Sequence, residues 1–289
     1  MEDKKEKQRI FSNGDLVKLI IPLIVEQLLM VTVGLADSIM IASVGEAAVS
    51  GVSLVDSVMV LMANVFAALA TGGAVVAGQF LGQKKFKMAC QTADQLVLFI
   101  SALAFGIILM IYAGRNLILH GVFGQIEADV MYNARIYLLI VTASIPFLAV
   151  YNGCAALFRT MGNSKIAMNM SLLMNGINIA GNALFIYGIG MGVEGAAIPT
   201  LVSRMIAAIV MLMLLKNQDL PVHFSKKFYF RFKGGLIRRI LYIGIPNGIE
   251  NSMFQLGKIL VLSLVAGFGT ASITANAVGN MVAMFEIIP

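Results

Sequence analysis

The sequence predicts an all-α polytopic membrane protein, a bundle of seven complete spans and the beginning of an eighth. Three observations lead there. Of 289 residues, 59% are hydrophobic and only 12% charged, against about 45–50% and about 25% in soluble domains. The mean hydropathy is +0.88, and the apolar residues gather in stretches of the roughly 20 residues that a helix needs to cross the hydrocarbon. The basic residues fall between these stretches in an alternating pattern. Together these exclude a soluble enzyme, a disordered chain and a disulfide scaffold. Cys90 and Cys154 lie in apolar segments without CxxC or His spacing and read as small buried hydrophobes.

Taken in order, the N-terminal stretch MEDKKEKQR is polar and of mixed charge. No small-residue cleavage site follows it, so the first apolar segment is expected to remain as a span. Spans are read at 15–43, 50–79, 90–113, 131–158, 166–187, 195–216, 237–267 and 270–289. The first holds Pro22 near its start, where proline is tolerated, then Glu26 and Asp37. The second holds Asp56 early, and the third holds Asp94 near its inner end. Span four carries Tyr137, Pro146 and Asn152, and Pro146 is expected to kink it and free a carbonyl. Span five carries Ser171, Asn175, Asn178 and Asn182. Span six carries Pro199, Thr200 and Arg204. Span seven repeats a proline near its start at Pro246, followed by Glu250 and Lys258, and the last contains Glu286.

The basic residues orient these spans. Five precede or open span one, three lie between spans two and three, two between four and five, and seven between six and seven. That places 17 of 21 on one side, with only Arg115 and Arg135 opposite and Arg204 and Lys258 within spans. Positive charge favours the cytoplasm. The expectation is a multi-pass protein of the plasma (inner) membrane with its N-terminus inside. The loop at 217–236 is then a basic cytoplasmic linker at the membrane surface, and no nucleic-acid partner is expected despite the net charge of +6.

Shifting the chain by 224 positions lays Ile21-Pro22-x-x-x-Glu26 on Ile245-Pro246-x-x-x-Glu250. Ala42, Gly45, Ala47 and Val58 then meet Ala266, Gly269, Ala271 and Val282, without a gap. Six spans separate the copies. An even number makes the repeat parallel, with its axis along the membrane normal. Residues 1–216 are one six-span lobe, and 237–289 begin its twin. A six-plus-six repeat has about twelve spans, and the last residue, Pro289, pairs with Val65 in mid-helix. The chain therefore reads as C-terminally truncated, a partial sequence.

Ionisable groups within spans are costly and face the protein interior or a watery cavity. Glu26 and Asp37 lie eleven positions apart, which is about 20° around one helix. The spacings of four, three and four in Ser171, Asn175, Asn178 and Asn182 put all four in a stripe of about 60°. Such a stripe is read as lining a cavity rather than as interhelical glue. Direction of travel gives depth. Asp37, Asn178, Asn182, Thr200 and Asp56 all fall in the outer half of the membrane. Carboxylate, amide and hydroxyl oxygens suit Na⁺, and a carboxylate also takes H⁺. Glu250 is expected to face the same central space as Glu26, with Lys258 as a counter-ion to a carboxylate. Arg204, one turn after Thr200, is expected either to pair with an acid at the site or to form a purely structural ion pair.

Other signals carry no chemistry. Gly190-Met-Gly192-Val-Glu-Gly195 matches GxGxxG but follows a membrane span rather than a strand, so it is no dinucleotide loop. There is no Walker A sequence, which argues against an ATP-driven pump. Asn169-Met-Ser171 fits a glycosylation sequon inside a span. His120 and His223 stand in separate loops, so no metal site is expected. No nucleophile is in place for catalysis, and neither an enzyme nor a cofactor is expected.

The assembled motifs resemble the multidrug and toxic compound extrusion (MATE) family of the MOP flippase superfamily. They are Pro22-x-x-x-Glu26-Gln27 with Asp37, Ser43-Val-Gly45-x-Ala47, Gly78-Gln79-x-x-Gly82, Arg159-x-x-Gly162-x-x-Lys165 and Asn178-x-x-x-Asn182. Gly192-Val-x-Gly195-Ala-Ala-x-x-Thr200 and Pro246-x-Gly-Ile-Glu250 with Gly269-x-Ala271 follow. The resemblance implies a MATE-like bundle, here the six-helix N-lobe plus the first one to two helices of the C-lobe. It implies export of drugs, organic cations or other amphipathic compounds by antiport with Na⁺ or H⁺, by a monomer in the bilayer. The family's first-lobe cation site carries over to Asp37, Asn178, Asn182 and Thr200, and a substrate cavity to Glu26, Asn175, Tyr137, Asn152, Glu250 and Lys258. Some members have an aspartate where this chain has Asn182, which leaves Na⁺ and H⁺ both open. The alternatives are a lipid-linked oligosaccharide flippase of the same superfamily, expected to have a more cationic cavity, and a non-transporting scaffold.

Overall fold

The computed structural model describes residues 13–122, 126–225 and 232–286. Lys4, Lys5, Lys7, Arg9, Lys226, Lys227 and Arg231 of the topology argument lie outside them, as does Pro289. The described chain is helical. It comprises α1 (Asn13–Ala42), α2 (Glu46–Gly82), α3 (Phe86–Asn116), α4 (Ala128–Thr142), α5 (Ile145–Thr160), α6 (Ser164–Ala183), α7 (Glu194–Leu214), α8 (Gly234–Ala266) and α9 (Thr270–Glu286). Single π-helical turns extend α3 (Leu117–Val122) and α6 (Leu184–Gly188). Among the described residues, six helices are long and apolar enough to cross a membrane, and the bent α4–α5 pair makes a seventh when it is taken as one broken span. The chain is a multi-pass membrane bundle.

The fourth span is broken. Its halves meet at 48°, because Pro146 in the first turn of α5 has no N–H for the carbonyl four residues back. Ser144 fills the corner, donating its hydroxyl to the Val141 carbonyl at 2.6 Å. Two other prolines sit deeper than expected. Pro22 and Pro246 lie well inside α1 and α8 rather than at their starts, because each helix begins earlier than the apolar stretch alone shows.

The core runs along α2, α3, α5 and α7, where Phe66, Leu96, Ile100, Leu157, Phe158 and Met211 are wholly buried. Close approach of α2 to α8 is made by small residues. A Cβ on Gly72 would stand 2.5 Å from the Ile240 carbonyl, and one on Gly244 would stand 3.2 Å from the Ala68 carbonyl. Ala68-x₃-Gly72 thus faces Gly244-x₃-Gly248, the small-residue pairing that lets membrane helices touch backbone to backbone.

The repeat has a direct structural counterpart. Ser50 Oγ and Thr274 Oγ1 are hydrogen-bonded at 3.0 Å, and these residues are separated by the same 224 positions as the repeat. Gly45 and Gly269, also repeat equivalents, both hold positive φ, 138° and 97°, in the turns that open α2 and α9.

Candidate functional site

Helix α6 presents its polar stripe to α1 and α7. The helices come close because Gly181 is a glycine. A Cβ there would meet Pro199 at 2.7 Å, so α7 lies against α6 beside Asn178 and Asn182. Asn182 Nδ2 donates to Asp37 Oδ1 at 2.7 Å. The hydrogen-bond network fixes the Asn178 amide. Its Nδ2 donates to the two Asp37 oxygens at 3.0 and 3.1 Å, and its Oδ1 accepts from Thr200 Oγ1 at 3.0 Å. The four residues placed together from the sequence therefore meet in one cluster. Asn178 and Asn182 are 6% and 1% exposed, so these bonds form away from bulk water, where charge-assisted hydrogen bonds are strong.

The cluster differs from the expected oxygen cage in one respect. The amides offer Asp37 their nitrogens, because an ionised carboxylate only accepts and the nearest amides turn donors toward it. Asn182 Oδ1 is left buried without a hydrogen-bond partner among the described residues, a costly arrangement that a cation or a donated proton relieves.

A second tier stands behind the first. Tyr137 Oη donates to Asp56 Oδ1 at 3.0 Å, and Tyr137 is buried. It faces Asp56 rather than the open cavity assigned to it from the sequence. Arg204 Nη1 donates to Ser144 Oγ at 2.7 Å, within electrostatic reach of both Asp37 and Asp56. The proline break in span four thus has a role. It places the buried Ser144 hydroxyl in the corner where it accepts from Arg204, beside two carboxylates. Sequence reasoning found Arg204 but missed Ser144, whose only signal is its position two residues before Pro146.

The cavity residues assigned from the sequence separate. Glu26 is 8% exposed and is closed by Arg159 Nη2 at 2.6 Å. Arg159 belongs to the last turn of α5 rather than to a loop, so its side chain reaches sideways to α1. Glu250, the repeat equivalent of Glu26, is exposed on α8, as is Lys258. Lys258 Nζ lies 5.0 Å from the centre of the Phe254 ring and pairs with no carboxylate among the described residues. Asn152 is half-buried on α5. Asn175 is half-buried on α6 and donates to Ser171 at 3.4 Å, so this part of the stripe bonds within its own helix. No group of three or more His, Cys, Asp or Glu among the described residues is arranged to hold a metal ion.

A helical membrane lobe with a buried carboxylate–amide cluster at the junction of three spans defines a class of polytopic membrane proteins, and comparison with known proteins narrows it. The MatE family model matches residues 22–184, more than half of the chain, and the chain belongs to that family. It is 27% identical over 289 residues to the uncharacterized transporter YisQ of Bacillus subtilis, covering 99% of this chain and 62% of that protein. It is 25% identical over 287 residues to the probable multidrug resistance protein NorM of Thermotoga maritima, covering 95% and 59%. A solved MOP superfamily transporter from Pyrococcus furiosus superposes with a TM-score of 0.84 at 21% identity, over 95% of this chain and 61% of that one; this likeness establishes the shared fold. The chain thus spans about 60% of the length of these relatives.

Proposed function

We propose that the protein is a secondary transporter that exports small amphipathic compounds, organic cations among them, against inward movement of Na⁺ or H⁺. One observation carries the reading: Asp37, inside a span, is held by Asn178 and Asn182 beside an unpaired buried amide oxygen. The MatE membership and the relatives named as multidrug resistance proteins support it. With Asp37 and Asp56 ionised and Arg204 charged, this group carries one net negative charge, which one monovalent cation neutralises.

Both candidate ions act on the same amides. Na⁺ at Asp37 takes oxygen ligands, and rotation of the Asn178 and Asn182 amides supplies two. A proton on Asp37 makes the carboxyl a donor, and the Asn182 oxygen becomes its acceptor after the same rotation. Either event changes the bonds that tie α1 to α6. Occupancy therefore favours one arrangement of the lobe over another, a population shift set by differential binding. The acids outnumber Arg204 here, which fits a cationic cargo better than the pyrophosphate of a lipid-linked sugar.

The test is efflux of a fluorescent lipophilic cation from proteoliposomes holding the full-length protein, under an imposed Na⁺ or pH gradient. The reading expects at least one gradient to accelerate efflux over protein-free vesicles. Efflux indifferent to both overturns it.

A further inference from the structure

At the end of the bundle where α2 and α3 turn and α8 begins, the surface holds a basin of about 850 Å³. Gln79, Gln83, Lys85, Gln91, Lys233 and Arg239 supply its polar lining, and no acid among the described residues lines it. It adjoins a second hollow of about 720 Å³ that shares Gln91 and Lys233. The one carboxylate in that second hollow, Asp94, already accepts the backbone N–H of Ser225 at 3.2 Å. None of these groups takes part in the Asp37 cluster.

The backbone that carries these residues is held in place, and one of the three basic side chains is itself restrained. Lys233 is fixed by its backbone N–H, which donates to Gln95 Oε1 at 2.6 Å. Arg239 lies with its guanidinium 5.7 Å from the centre of the Phe80 ring, a cation–π contact that restrains it. Lys85 closes the turn after α2, where its backbone N–H donates to the Phe80 carbonyl at 2.9 Å. Three basic residues and three amides, carried by α2, α3, α8 and the turns beside them, thus line one concavity.

We propose that this basin binds the phosphate of an anionic phospholipid headgroup, with Lys85, Lys233 and Arg239 as its charged contacts. Bases fixed in a concavity and unopposed by acid select an anion, and guanidinium and ammonium donors match phosphate oxygens. The position selects a lipid. The basin lies where α2 ends and α3 and α8 begin, and the ends of membrane-spanning helices stand beside the headgroup layer. Phe86 and Phe232, which line the adjoining hollow, are 51% and 53% exposed, apolar surface beside the bases that suits lipid acyl chains better than free aqueous phosphate. The site also gives the Gly78-Gln79-x-x-Gly82 segment a task, because Gln79 stands on its wall.

The experiment is native mass spectrometry of the purified full-length protein equilibrated with phosphatidylglycerol or phosphatidylcholine, with inorganic phosphate as competitor. Retention of phosphatidylglycerol over phosphatidylcholine is expected. Lys85→Gln and Arg239→Gln should each weaken it about fivefold, the effect of roughly one interfacial charge, whereas Lys165→Gln, outside the basin, should leave it unchanged. Equal retention of the two lipids, an equal loss in Lys165→Gln, or displacement by millimolar inorganic phosphate overturns the proposal. A normal size-exclusion profile for each variant separates lost binding from lost folding.

Discussion

Replacing Asp37 by asparagine should lower gradient-driven efflux about tenfold or more, the equivalent of at least ~1.4 kcal/mol. The substitution keeps the shape of the side chain and removes the charge on which the Asn178 and Asn182 amides converge. A neutral amide at this position carries its own donors, and two of its hydrogens would face the nitrogens of its neighbours. The amides must then turn, which is the arrangement assigned above to the cation-bound state. The variant should therefore stay folded but behave as though permanently loaded, unable to exchange a cation in each cycle. Monodisperse protein with efflux at the level of protein-free vesicles is the expected result. Unaltered efflux under both Na⁺ and pH gradients removes Asp37 from the mechanism.

The second large effect is on folding. Gly72→Leu should destabilise the bundle by about 1–3 kcal/mol or more, the usual cost of forcing volume into a packed contact. Here the new Cβ would stand 2.5 Å from the Ile240 carbonyl and 2.8 Å from the Gly244 nitrogen. Both are backbone atoms of a long helix, so neither can turn aside as a side chain does. Helix α8 must lift from α2, which loosens the start of the second repeat copy from the first. Gly106→Leu is the control, because nothing lies within 4 Å of its added Cβ. Thermal aggregation in detergent, followed by size-exclusion chromatography, should show a marked fall in midpoint for Gly72→Leu alone. Equal midpoints contradict the close packing of α2 on α8.

How much of this was legible in the sequence depends on what each feature needs. Spans need only a continuous apolar run, and the described helices fall on the runs. The Asp37 cluster needs depth and face. Both follow from helical rise and from the direction each span travels, so Asn178, Asn182 and Thr200 could be placed near Asp37 before any packing was known. Ser50 and Thr274, paired by the 224-residue shift, are hydrogen-bonded to each other, a contact that the sparse identities do not foretell. Partner choice was not legible. Arg159 reads as a loop residue because it follows an apolar run and precedes a glycine, yet one further helical turn carries it to Glu26. Tyr137 is assigned to a cavity through the family resemblance, and its bond to Asp56 has no signal in the sequence. The Ala68–Gly72 and Gly244–Gly248 pairs are small residues in a chain that contains 28 glycines, and only packing shows which of them touch. Lys258 has no acid partner among the described residues, because depth specifies a layer of the membrane, not a neighbour within it.

The central claim is that cation and substrate share one cycle through Asp37, and coupling is reciprocal. Its most direct test reverses the driving force. Proteoliposomes holding the full-length protein are loaded with a lipophilic cation and diluted without any ion gradient, and internal Na⁺ and pH are followed by fluorescence. The account predicts that outward substrate flow draws Na⁺ or H⁺ inward in the wild type, and that Asp37→Asn abolishes this movement. Cation movement of the same size in the variant, or none in a wild type that still releases substrate faster than empty vesicles, would contradict it.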